Sequence, residues 1–405
     1  MSGRRSFYSL VLAEVCSLSG TRLSMIAIPW LVLTITGDPV LTGVVAFAEM
    51  APYVIAKALG GPLLDRLGAR RVSIVGDFAS VTVVAAIPVL DHFELLVVPL
   101  LIALMAILGA LRGPADAAKQ AMIPSVAREG KLPLERVTGV MGTIERLAST
   151  IGAAAAGALV AIIGPAQALA FNGICLAVAA IVLLAGTRST TITEAGVPQS
   201  YGRQFAEGFD FLRKDAVLVG IAVMVALTNF IDQAFGVVLV PVWAADSGRG
   251  AAAIGLVLAV FSGFSILGSA VATAFAEKLP RLAVYIGAFV LVGLPRFVVF
   301  AFDAPLAAIL AVLAVGGFAS GFLNPIISAV ILERIPEKLV GRVSSLVTAS
   351  AWALMPFGGI VGGVLIAGIG LEATLLILGG VYLAITLAPL GLKRFRGFAR
   401  RPEVA

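Results

Sequence analysis

The chain has 405 residues, 60% of them hydrophobic and 13% charged, with a mean hydropathy of +1.06, a net charge of +6 and a pI near 9.6. So little polar surface cannot solvate a water-soluble domain, and the medium is therefore lipid. The basic residues are scattered over short connections and offer no continuous surface for nucleic acid, so no nucleic-acid partner is expected.

A helical crossing needs roughly 20 apolar residues, and the sequence divides into twelve runs of that kind. Arg4 and Arg5 precede the first, 7–36, which is too long for a secretory h-region and is expected to serve as its own anchor. Asp38 separates it from 40–64, after which come Arg66, Arg70 and Arg71. The third run, 72–90, ends at Asp91, His92 and Glu94, and the fourth, 95–118, leads to Arg128, Lys131 and Arg136. Runs 137–163 and 166–185 complete a first set of six. Residues 188–215 form the longest polar stretch, in which Tyr201, Phe205 and Phe209 repeat every fourth residue, the pattern of a helix lying in a membrane interface. Runs 216–244, 251–274, 282–302, 305–332, 343–367 and 373–392 follow, with a basic tail. Basic residues gather on alternate connections and at both ends, and Arg249 is the one basic residue on the opposite set. By the positive-inside rule both termini are cytoplasmic, in a multi-pass inner (plasma) membrane protein.

The two sets of six are related. Pro29, Gly43 and Asp65 recur as Pro241, Gly255 and Glu277 at one displacement. Arg136-Val137, Gly152, Gly157, Leu159 and Gly164 recur as Arg342-Val343, Gly358, Gly363, Leu365 and Gly370 at another. The expected organisation is a six-helix bundle over 1–187, a linker with an amphipathic helix over 188–215, and a second bundle with its tail over 216–405, all α. Such a pair of bundles moves a solute along their interface by alternating access.

Ionisable side chains inside the runs are costly unless they face a partner or a cavity, and so are leads to function. Arg112 and Asp116, one turn apart, are able to pair. Asp77 is expected beside an arginine, while Lys57 and Lys119 are open to either pairing or snorkelling at the interface. Deeper lie Arg22, Glu49, Glu145, Arg146, Asp232 and Arg296, with Tyr53 on the stripe of Glu49 and Lys57, and Asn229 and Phe235 flanking Asp232. A buried carboxylate that takes and releases a proton would couple transport to a proton gradient, and Glu49, Glu145 and Asp232 are the candidates. For each, an ion pair that merely holds helices together is the competing reading. Gly109 and Gly113, Gly317 and Gly321, and Gly358 and Gly362 are Gly-x-x-x-Gly pairs read as packing features.

The segment Gly61-Pro-Leu-Leu-Asp65-Arg66-Leu-Gly68-Ala-Arg70-Arg71 resembles the loop signature of the major facilitator superfamily, with Ala69 where an arginine is usual. The runs Arg112 to Pro124, Glu207 to Arg213 and Arg334 to Val343 are similar to its twelve-helix drug, macrolide and siderophore exporters. The resemblance implies a cytoplasmic gate of Asp65, Arg66, Arg70, Asp77, Arg112 and Asp116. It also implies a substrate and proton pathway of Arg22, Glu49, Tyr53, Glu145, Arg146, Asn229, Asp232 and Phe235. Gly152 is followed by Ala153 where antiporters of this branch often have proline. The expected activity is proton-driven export of a hydrophobic or amphiphilic small molecule; the alternative is a proton-coupled symporter or uniporter of a polar metabolite. No phosphate-binding loop occurs, and the single His92 has no metal-ligand cluster or nucleophile elbow beside it, so neither ATP use nor an enzyme is expected. The two cysteines, Cys16 and Cys175, both fall within runs and read as small apolar residues. No cofactor or metal is expected, and the protein is expected to act as a monomer with protons, substrate and the lipid bilayer as partners.

Overall fold

Helix boundaries follow capping chemistry visible in the sequence. Asp38 accepts hydrogen bonds from the backbone N–H groups of Val40 (2.7 Å) and Leu41 (3.3 Å), and Pro39 occupies the first turn, where its missing N–H costs nothing. Asp215 does the same for Val217 (2.8 Å) and Leu218 (3.2 Å) at the start of the seventh predicted run. The structure, a computed structural model, describes residues 2–187, 201–275, 280–336, 339–391, 395 and 398. The polar stretch 188–200, Glu277, Lys278 and the basic residues of the tail lie outside the described residues.

In chain order the helices are α1 (Ser2–Thr36), α2 (Pro39–Leu59), α3 (Gly61–Leu67), α4 (Ala69–His92), α5 (Val98–Gly130) and α6 (Leu134–Leu147). A π-helical turn, Ala148–Gly152, joins α6 to α7 (Ala153–Ile163), and α8 (Pro165–Gly186) follows. Next come α9 (Tyr201–Lys214), α10 (Ala216–Ala234), a second π turn (Phe235–Leu239), α11 (Val240–Asp246) and α12 (Gly250–Phe275). The chain continues with α13 (Arg281–Val292), α14 (Leu294–Ala301), α15 (Leu306–Ser320), α16 (Leu323–Arg334), α17 (Val340–Ala353) and α18 (Met355–Gly391). No strand occurs among the described residues.

Eleven stretches are long and apolar enough to cross a bilayer, the last being Arg342–Gly391. That stretch has 50 residues, enough for two crossings, and its helix is interrupted at Gly370, whose φ of 80° and ψ of 167° are closed to most residues with a Cβ. Gly164 has nearly the same conformation, φ 85° and ψ 159°, between α7 and α8. These two glycines are partners in the sequence repeat, and both turn the chain at corresponding places. The described stretches are thus compatible with twelve crossings.

Several runs that look continuous in the sequence are segmented. Pro295, Pro325 and Pro356 stand in the first turns of α14, α16 and α18, just after a break. Pro29, Pro52 and Pro114 instead lie inside unbroken helices. A proline removes one main-chain hydrogen bond and crowds the preceding turn, so a break there relieves what an unbroken helix must absorb.

Contacts group the helices into two compact units. The first contains α1 to α8 and the stretch Val240–Ala259; the second contains α9, α10 and the chain from Val260 onward. In the first, Phe7, Leu10, Ile74, Met122, Val137 and Leu183 form a buried cluster. In the second, Leu212, Leu218, Ile335, Val343 and Val347 do. Val137 and Val343 are repeat partners and both are fully buried, so the repeat preserves a core position as well as a sequence pattern. Helix α9 packs on α17: Gly208 lies against Arg342 and Leu346, and Glu207 pairs with Arg342 at 2.6 Å. Phe209 is exposed, and the side chains of Tyr201 and Phe205 lie outside the described residues.

Candidate functional site

The first unit holds a network of charged side chains on α1, α2, α4 and α5. On α5, Arg112, Asp116 and Lys119 occupy one face at spacings of four and three residues. Arg112 Nη2 lies 3.5 Å from Asp116 Oδ1 and donates to Thr21 Oγ1 (2.7 Å) and Ser17 Oγ (3.4 Å) of α1. Lys119 Nζ donates to Asp77 Oδ1 of α4 at 2.9 Å and to Ser17 Oγ at 2.7 Å, and lies 3.5 Å from Asp116 Oδ1. On the other side of Asp116, Tyr53 of α2 donates to Oδ2 at 3.3 Å, and Lys57 Nζ donates to the Tyr53 hydroxyl at 3.2 Å. Lys119 and Asp77 are only 2% and 1% exposed at the side chain. A single charge so buried costs several kcal/mol, roughly 3–5 when its partner is removed.

Two glycines make this network possible. A Cβ on Gly109 would lie 2.0 Å from the carbonyl oxygen of Glu49, and one on Gly113 would lie 2.5 Å from that of Tyr53. Their absence lets α2 lie directly on α5, which brings Tyr53 within reach of Asp116. Glu49 and Glu14, both half-buried, face the same network and interact electrostatically with Arg112 and Lys119 respectively.

The second unit carries a smaller site. Asp232 of α10 is bonded to Arg296 of α14, and the Arg296 guanidinium stands over the rings of Phe235 (4.7 Å), Phe297 (4.9 Å) and Tyr382 (5.2 Å). Phe235 itself meets Phe297 and Phe300 edge to face, with centroids 5.0 and 5.2 Å apart. A planar guanidinium suits such a box, since its faces attract aromatic quadrupoles while its edge serves the carboxylate. Arg296 is buried, whereas the Asp232 side chain is 38% exposed. Asn229, one turn before Asp232, donates to the carbonyl of Ala351 at 3.0 Å.

The structure thus brings Asp77, Arg112 and Asp116 together and adds Lys119, Tyr53, Lys57, Ser17 and Thr21. Asp77 is paired with a lysine where an arginine was expected, and Lys119 is buried in the network, not snorkelling at an edge. Asp65 and Arg66 stand apart: both are exposed on α3 and make no ion pair with another described residue. The signature segment is a short helix and not an open loop, with the turn at Gly68 (φ 81°) and Gly61 inside the helix. Arg70 caps the end of α8, donating to the carbonyls of Leu184 (2.7 Å) and Thr187 (3.0 Å). Glu145 and Arg146 are exposed on the last turn of α6, beside the π turn. Arg22 is half-buried, makes a 3.4 Å contact with Met25 Sδ, and feels the charge of Glu145. Phe235 is buried under Arg296. The spacing of Arg112, Asp116 and Lys119 was a signal for the network; nothing local to Arg296 pointed to Asp232, because the pair joins different helices.

The sequence profile of the Major Facilitator Superfamily matches residues 10–248 and 221–403. The multidrug efflux pump Tap of Mycobacterium bovis (strain BCG / Pasteur 1173P2) is 30% identical over 414 residues, covering 99% of this chain and 97% of that protein. Its counterpart in Mycolicibacterium fortuitum is 28% identical over 396 residues, covering 96% and 95%. Among solved structures, a point mutant of the nucleoside transporter NupG matches with a TM-score of 0.78 at 13% identity, over 98% of this chain and 100% of that one. A bacterial homologue of the iron transporter ferroportin, in an inward-facing state, matches at 0.71 and 17% identity, over 99% and 100%. These structural matches concern the fold. With helical crossings throughout, charged networks inside them and a profile match over nearly its whole length, the chain is a multi-pass membrane transporter and belongs to the Major Facilitator Superfamily.

Proposed function

We propose that the protein is a secondary active exporter of hydrophobic or amphiphilic small molecules, driven by the proton gradient and working by alternating access. The observation that carries the export reading is the 30% identity, over nearly the full length of both chains, to a protein named a multidrug efflux pump. Proton coupling is supported by carboxylates inside crossing segments that have incomplete pairing. Glu49 and Glu145 make no ion pair with another described residue, and Asp232 keeps 38% of its side chain exposed. Such carboxylates can exchange a proton for a ligand or for a cationic neighbour as the environment changes. The network around Asp116 serves as the gate of the first half, because its partners come from four separate helices and are released if those helices part. Arg22, Glu145 and Arg146, and Asn229 and Asp232, are the groups that line the pathway in this reading, with both termini cytoplasmic and one chain as the working unit.

The test is accumulation of a lipophilic fluorescent dye in cells expressing wild type, Glu49→Gln, Glu145→Gln or Asp232→Asn, with and without a protonophore. Lower accumulation in wild type that the protonophore abolishes, and that at least one variant abolishes, is the expected outcome. Wild-type accumulation indifferent to the protonophore would remove proton coupling. Full activity in the triple variant would remove these carboxylates from the mechanism.

A further inference from the structure

At the end of α1 that carries Arg4 and Arg5, a concavity of about 550 Å3 is lined by Arg4, Arg5, Tyr8, Ser9, Leu12 and Val182. All six lie in the first unit, on α1 and α8. The lining is graded along the helix axis. Arg4, Tyr8 and Leu12 follow one another every fourth residue, so they form one stripe in which charge gives way to an aromatic hydroxyl and then to an aliphatic side chain. From Arg4 to Leu12 the stripe runs about 12 Å, the distance from a lipid phosphate into the upper acyl chains. Tyr8 and Leu12 are 63% and 47% exposed, as side chains turned outward from the bundle are.

The two arginines differ in their commitments. Arg5 Nη2 donates to the carbonyl of Ala185 at 3.1 Å, which fixes it at the carbonyl end of α8. That end is further occupied by Arg70, which takes the carbonyls of Leu184 and Thr187. Arg4 makes no hydrogen bond or ion pair with another described residue, and no carboxylate lines the concavity. The result is a cationic mouth over an apolar wall, with donors from two guanidinium groups and from the Tyr8 and Ser9 hydroxyls. Guanidinium groups bind phosphate oxygens in bidentate fashion, and basic residues at a membrane surface are attracted to anionic lipids.

We propose that this concavity is a binding site for one anionic phospholipid of the bilayer, its phosphate held by Arg4 and Arg5 and the start of one acyl chain laid along Leu12 and Val182. The lipid fastens the N-terminal end of α1 to α8, next to the carbonyl end that Arg5 and Arg70 already cap. The charge of the mouth selects against zwitterionic headgroups, and the apolar wall selects against a free phosphate.

The full chain, purified in detergent, is titrated with phosphatidylglycerol, and bound lipid is counted by native mass spectrometry. Retention of one phosphatidylglycerol, with phosphatidylcholine bound at least tenfold more weakly, is expected for wild type. Arg4→Gln/Arg5→Gln loses roughly tenfold or more in affinity, while Arg128→Gln/Lys131→Gln, which removes two charges elsewhere, retains wild-type binding. Val182→Trp keeps both charges but fills the wall, and it loses the lipid as well. Equal loss in the Arg128/Lys131 variant would reduce the effect to general surface charge and overturn the site. So would unchanged binding in either Arg4→Gln/Arg5→Gln or Val182→Trp. Displacement of the lipid by sn-glycerol 3-phosphate alone would make it a free-phosphate site and overturn the lipid assignment.

Discussion

The charged network on α5 and the Asp232–Arg296 pair solve one problem by different means. In the first unit a nearly sealed lysine and aspartate neutralise each other, and the lysine also meets the Ser17 hydroxyl of α1 and the Asp116 carboxylate of its own helix. In the second, a single buried arginine is held by one carboxylate and three aromatic faces, and the carboxylate remains partly open. A network of discrete hydrogen bonds is lost as a unit when one member goes, because each remaining charge is then unpaired. An aromatic box is more tolerant of losing its anion, since the stacked faces remain. The comparison therefore separates a region that fixes helix positions from one that can give up its carboxylate to another ligand.

The largest effect should come from Lys119→Met, which leaves Asp77 buried without its cation. We expect about 3–5 kcal/mol of destabilisation, read as a lower melting temperature or loss of folded protein in fluorescence-detected chromatography. Adding Asp77→Asn should restore most of it, and failure of that double variant to recover would show that Lys119 acts through Asp116 or Ser17 instead. Arg296→Met should cost less, roughly 2–3 kcal/mol, because Asp232 can still reach solvent. Arg296→Lys should rescue only partly, since a lysine cannot stack on three faces. Asp232→Asn should leave the fold nearly intact while altering transport, and equal destabilisation by Asp232→Asn and Arg296→Met would erase the contrast between the two regions. Gly109→Ala is expected to cost about 1–3 kcal/mol, because its Cβ would meet the carbonyl of Glu49 and push α2 away from α5. Dye export should then fall together with stability.

The smallest effect concerns α9, where hydrogen bonds from Lys214 and Arg213 hold the Asp210 carboxyl below its ordinary value of 3.8. A depressed value in the folded state means that stabilisation is present above pH 3.8 and is lost as pH falls through the lower folded value. Asp210→Asn should thus lower the melting temperature slightly at neutral pH, and the difference from wild type should vanish in strong acid. The pair is exposed, so added salt should shrink the difference too.

Part of the network on α5 follows from the sequence. Arg112, Asp116 and Lys119 share a helix, so their common face follows from spacing alone, and Gly109 and Gly113 announce a close neighbour without naming it. Asp77 and Arg296 were visible as buried charges whose partners were not. The same limit explains Asp65 and Arg66: the signature Gly61 to Arg71 identifies a family, but only the folded chain places its acid and base on an exposed short helix while Arg70 turns to α8.

The sequence by itself determined the medium, an all-helical chain of many crossing segments, and a repeat in which Gly164 and Gly370 are partners. These follow from local hydropathy and from backbone chemistry, which each residue carries with it wherever it goes. Only the tertiary structure decided that Asp77 meets Lys119, that Arg296 meets Asp232 across an aromatic box, and that Arg5 and Arg70 converge on the end of α8. The partner of a buried charge is set by which helices pack together and in which rotation, and residues far apart along the chain encode that choice jointly.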